Sequence, residues 1–154
     1  MSTNNTWSRA RVSDKDQDFT RKIAVILDKS LEPWQAFNAA THIAAYIGNA
    51  LGENFSTGRY FITRDSVAYP RNTQYPIIIL RAKTSQLRSL VARAREQGLL
   101  HNEFIREMIE TTDDQEIVSL LAQKDDESVQ YLGVGLFGLN DQVNAITKSL
   151  QLWR

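Results

Sequence analysis

The sequence predicts a single α/β domain, built on a mixed, mainly parallel sheet of four to five strands with helices on both faces. Three observations carry that expectation. First, Ile23-Ala24-Val25-Ile26-Leu27, Tyr75-Pro76-Ile77-Ile78-Ile79-Leu80 and Val129 to Val134 are continuous apolar runs with almost no polar alternates, as strands covered on both faces require. Second, these runs alternate with segments of helical periodicity. Third, 154 residues with 42% apolar and 23% charged side chains suffice for one core and no more.

Each element has local support. The strand from Lys22 ends at Asp28, and a helix follows in which Pro33 suits the first turn and Gly48 or Gly52 the terminus. Arg59 to Thr63 reads as a weaker strand nearer an edge. Thr84 to Gln97 carries Leu87, Leu90, Val91 and Ala94 on one side, with Thr84 or Ser85 as cap and Gly98 as stop. His101 to Glu110 reads as a strand, followed by a short helix at Gln115 to Gln123. Leu139, Val143, Ile146 and Leu150 recur at helical spacing behind an Asn140 or Asp141 start. Residues 1–20 are polar apart from Trp7, Val12 and Phe19 and read as a flexible arm, leaving 21–154 as the domain.

Composition excludes several function classes. Lys plus Arg and Asp plus Glu are 18 each, so no global field favours nucleic acid or membrane. There is no cysteine and only two histidines, which argues against disulfides and a metal centre and fits a cytoplasmic protein. No apolar stretch approaches the length of a membrane span. Nothing in the sequence calls for a cofactor.

The most informative stretch is Pro33 to Gly52, which contains no charged residue. At 100° per residue, Ala36, Phe37, Ala40, Ile43, Ala44, Ile47 and Leu51 share one side. Gln35, Asn38, His42, Tyr46 and Asn49 form a neutral polar stripe opposite. Three roles fit the stripe: a surface covered by more protein, including a homodimer partner; the lining of a cleft at the end of the Asp28 strand; or plain surface lacking charge. The cleft reading makes Asp28, Asn38 and His42 candidate catalytic residues, orienting water and donating to an oxyanion. Gln35, Gly135 and Phe137 are then candidate ligand-binding residues, for a small molecule. Gly133-Val134-Gly135-Leu136-Phe137-Gly138 matches a dinucleotide fingerprint, but the chain lacks the second strand and acid that such a site needs. The two leading glycines suit close packing within a strand. Arg81, Lys83, Arg88, Arg93 and Arg95 form an acid-free run, open either to RNA or to pairing with the acidic segment Glu103 to Glu127.

Leu31…Ala36-Phe37-Asn38-Ala39…His42, Pro76 to Ala82, and Gly133-x-Gly135-x-x-Gly138 together resemble domain-of-unknown-function family 2000. So does the ending Val143-Asn144-Ala145-Ile146-Thr147 with Leu150-Gln151-Leu152-Trp153-Arg154. The likeness runs from about Lys22 to Arg154. It implies a fold similar to the archaeal and eukaryotic type of peptidyl-tRNA hydrolase, and with it an ester or amide hydrolase acting on a tRNA-like ligand. Asp28 and His42 have the separation found in the hydrolase signature. Pro33 and Gln35 stand where that signature has loop lysines, and Ala39 where it has a helical glutamine. The resemblance therefore implies the fold more strongly than the activity.

Overall fold

The computed structural model describes residues 17–55 and 60–154. In chain order these form β1 (Arg21–Asp28), α1 (Pro33–Leu51), β2 (Tyr60–Ile62), β3 (Ala68–Pro70), β4 (Ile77–Ala82), α2 (Thr84–Glu96), β5 (Leu100–Ile105), α3 (Glu107–Glu110), α4 (Asp114–Leu121), β6 (Tyr131–Leu139), α5 (Asn140–Thr147) and β7 (Gln151–Leu152). Most of the expected arm, and Arg59 of the weak strand, lie outside the described residues. Where the description begins, the Asp18 N–H donates to the Gln74 carbonyl and the Asn140 N–H to that of Thr20.

Five strands make one mixed sheet in the order β5–β6–β1–β4–β7. It is mostly antiparallel, which corrects the expectation of a mainly parallel sheet. Only β1 and β4 run parallel among the described residues; β1–β6, β5–β6 and β4–β7 are antiparallel. The apolar runs indicated coverage of both faces, and β1 and most of β6 have it, but β4 does not: Ile77 and Ile79 remain about two-fifths exposed on one face. α1 lies over Ile23, Val25 and Leu27 on one face, while α2 and α5 bury Ala24 and Ile26 on the other. Coverage decides which side chains a strand can carry; it does not decide the direction of its neighbour.

Helix termini follow from local chemistry. At the start of α1 the Glu32 N–H donates to Gln35 Oε1 at 3.0 Å, and the helix ends at Gly52, whose φ of +53° suits a residue without a Cβ. α2 is capped differently from expectation. The Lys83 N–H donates to Gln86 Oε1 at 2.8 Å, and the Thr84 hydroxyl is engaged elsewhere. The buried positions of α1 are Ala36, Ala39, Ile43 and Ile47, whereas Phe37 is 70% exposed. The helix is thus rolled toward Ala39, away from the Phe37 side. Two glycines fix that seat: a Cβ on Gly133 would come within 2.9 Å of Ile43, and one on Gly135 within 2.5 Å of both Ile43 and Asn102. These glycines let α1 sit close on β6, the packing role expected of them.

The remaining differences are at the margins. Tyr60–Ile62 pairs with Ala68–Pro70 in a separate two-stranded ribbon, outside the main sheet. The 101–110 strand stops at Ile105 and turns into α3.

Candidate functional site

β1 and β4 are neighbours in the sheet and parallel, yet the helices that follow them go to opposite faces. Strands whose connections diverge in this way leave a crevice outside their carboxyl ends, the place where open α/β sheets hold ligands. Asp28, the last residue of β1, is almost fully buried there. One of its carboxylate oxygens accepts from the Ser30 N–H at 2.9 Å and the Ser30 hydroxyl at 2.7 Å; the other accepts from the Thr84 hydroxyl. The carboxylate therefore ties the start of α2 to the end of β1, and a buried charge held by three donors is satisfied without a cation.

Beyond the two strand ends the surroundings are cationic. A recess of about 310 Å³ is lined by Lys29, Arg81, Lys83 and Gln86 with Ser149 to Gln151. A second, of about 410 Å³, continues past Arg81 and Gln151 to Leu152 and Arg154. Between them Arg81 Nη2 donates to Gln151 Oε1 at 2.6 Å, which holds the guanidinium in place on β7. Among the described residues no acidic side chain lines either recess. Four cations, Lys29, Arg81, Lys83 and Arg154, are thus gathered at a strand end and beside the first turn of α2.

The six residues singled out by sequence do not converge. Asp28 lies at the crevice, in the role of a structural tie. The Gln35 side chain closes the first turn of α1. Asn38 and His42 are exposed on the outer side of α1, where the His42 ring lies 5.6 Å from that of Phe104 on β5, two strands away from β1. Gly135 lies beneath Ile43 and Ile47. Phe137 meets Tyr75 edge-on at 4.8 Å.

Sequence reasoning missed Lys29, Gln86, Gln151 and Arg154. Its signal for Arg81 and Lys83 was the acid-free basic run, and the structure divides that run in two. Arg88 is occupied by Asp126 at 2.9 Å and the Val129 carbonyl at 2.7 Å. Arg93 caps carbonyls of α5, and Arg95 lies 3.6 Å from Glu103. The helical arginines serve the fold, and those at the strand end face the crevice.

A second buried carboxylate, Glu107, sits at the end of β5 and pairs with Lys124. Burial works against its charge, but the hydrogen bond and field of Lys124, with its own backbone N–H and Arg106, hold it below the ordinary glutamate value of 4.5. Among the described residues no group of three His, Asp or Glu is placed to hold a metal, and no helix is long and apolar enough to cross a membrane.

Comparison with known proteins agrees with the likeness read from the blocks above. Residues 21–154 match the model of DUF2000, described as proteins of unknown function. The chain belongs to this family. No curated protein matches it. Among solved structures, a protein of unknown function from Agrobacterium tumefaciens strain C58 superposes with a TM-score of 0.76 at 24% identity, over 89% of this chain and all of the other. At that identity the match speaks for the fold alone, so the family membership leaves activity to be argued from the site.

Proposed function

We propose that this member of the DUF2000 family binds a small anionic ligand, carboxylate- or phosphate-bearing, in the crevice between the ends of β1 and β4. The observation that carries the reading is the recess of about 310 Å³ framed by Lys29, Arg81 and Lys83, with no acid among its described lining residues. Arg81 can present its guanidinium as a fork for two anionic oxygens, and the lysines add point charges. Titration calorimetry with inorganic pyrophosphate at low ionic strength tests this. Binding is expected in the millimolar range or tighter, with Arg81→Ala and Lys83→Ala each weakening it about tenfold, the loss of one charge-assisted contact. Absence of heat with phosphate, pyrophosphate and citrate alike would overturn the reading.

A second reading, ester or amide hydrolysis of a tRNA-like substrate, is favoured by the place of Asp28 at a carboxyl-end crevice and by the resemblance described above. It assigns water orientation to Asp28 and oxyanion contacts to Asn38, with His42 nearby. The spread of these residues over α1 and β1 weighs against it. Turnover of N-blocked aminoacyl-tRNA, lost in Asn38→Ala, would restore it. An inactive protein that binds pyrophosphate leaves ligand binding standing alone.

A further inference from the structure

We infer that the outer edge of β5 is a homodimer seam, on which the strand pairs antiparallel with β5 of a second copy about a two-fold axis through Asn102. β5 is a terminal strand of the sheet, six residues long, and the described elements packed on it are β6, α1, α2 and α3. Natural edges of this length carry lysine, proline or a covering element against unwanted pairing. Leu100-His101-Asn102-Glu103-Phe104-Ile105 contains neither residue. Its β-bulge lies beyond Phe104, which leaves the central segment regular.

Three further features fit one register. Asn102 Oδ1 is buried beside Gly135 and has no hydrogen-bond partner. A buried amide oxygen left unpaired is costly, and a two-fold through Asn102 sets the two Asn102 side chains at cross-strand distance, where each carboxamide turned away from Gly135 reaches the other. A carboxamide both donates and accepts, so two copies satisfy each other reciprocally. On the other face of the strand, His101 and Glu103 stand side by side, 3.0 Å apart. In this register His101 of one copy opposes Glu103 of the other, and Leu100 opposes Phe104. The strand is self-complementary in charge and in apolar character.

α1 completes the surface. The contact of His42 with Phe104 shows that the neutral stripe overlooks the β5 edge. The axis sets the stripes of two copies facing each other with no charge to desolvate. A six-residue edge roughly 20 Å long and about 10 Å thick offers about 200 Å², well short of the roughly 800 Å² per partner of a specific interface, and the stripe supplies the remainder.

Light scattering on the full chain, from about 1 to 100 µM, should give twice the 17.6 kDa protomer mass at the upper end. Glu103→Lys sets two cationic or neutral groups against each other across the axis and should weaken self-association about tenfold. Combining it with His101→Glu restores opposite charges and should restore the dimer. Hydrogen exchange on the unaltered protein gives a readout independent of mutant folding: amides of residues 100–105 should become protected as concentration rises. A 17.6 kDa species at 100 µM, or a dimer whose β5 exchange is independent of concentration, overturns the inference.

Discussion

The two edges of the sheet solve the edge problem in opposite ways. On one side β7 is two residues long, and Arg81, Gln151 and Arg154 crowd it with cations and amides. A strand that short offers little backbone to a stranger, and charge blunts what remains. On the other side β5 is six residues long, is flanked by a helix without charge, and carries His101 beside Glu103, with Arg95 of α2 also near the carboxylate. The contrast teaches that a protein with no net charge can still separate its chemistry in space. Cations gather at the end proposed for a small anion, and neutral amides at the edge proposed for a second chain.

The comparison can be broken hardest from beneath α1. Gly135→Ala forces a methyl into Ile43, Ile47 and Asn102, at 2.5 to 2.8 Å. Overpacking of this kind should cost about 3 kcal/mol, read as a fall in melting temperature of roughly 10 °C. Because the clash is on the β5 side, pyrophosphate affinity at the crevice should survive below the new transition. Equal loss at both edges would mean that they are not separate.

The next largest effect is expected at the end of β5. Lys124→Met removes the cation that holds Glu107 ionised. It should cost about 2 kcal/mol at pH 7, below the usual figure for a broken buried pair because Lys124 is itself a third exposed. Glu107 has a lowered folded pKa, so its contribution is full above the unfolded value near 4.5 and fades as pH falls through the folded one. The gap between wild type and Lys124→Met, followed by chemical denaturation, should therefore close below about pH 4. A gap that persists into acid would assign the effect to packing of the lysine stem.

The smallest change sharpens the crevice. Thr84→Val keeps the volume but leaves one oxygen of Asp28 without its donor. A loss of about 1.5 kcal/mol is expected in denaturant unfolding, with weaker pyrophosphate binding as the start of α2 loosens. Unchanged stability would remove Asp28 from its role as a tie.

Legibility in the sequence divided along physical lines. β1, the ends of α1 at Pro33 and Gly52, and the stop of α2 at Gly98 were readable because a local residue sets each one. That something approaches β6 closely was readable from Gly133 and Gly135, but that it is α1 through Ile43 and Ile47 was visible only in the fold. Strand direction was hidden, because side-chain coverage is the same for either direction. Phe37 was placed on the buried side because it lies only a quarter turn from Ala36, and periodicity fixes phase no better than that. β7 is too short to leave a pattern. Glu107 looked like one more solvated acid because Lys124, which makes its burial tolerable, is distant in sequence. The cationic crevice was divided among Lys29, Arg81 and Arg154, three separate parts of the chain, and only the sheet brings them together.

The placement of β1 has a consequence for how the molecule is made. Its neighbours are β4 and β6, and the second of these lies more than a hundred residues further along the chain. The buried run Ile23 to Leu27 is thus synthesised first among the strands of this sheet and waits for β6 to cover its second edge. Pairings so distant in sequence raise the contact order, and domains dominated by them fold in milliseconds to seconds rather than microseconds. Throughout that interval Ile23 to Leu27 must be shielded by β4, α1 and α2, which makes the amino-terminal two-thirds of the domain its own temporary guardian against aggregation.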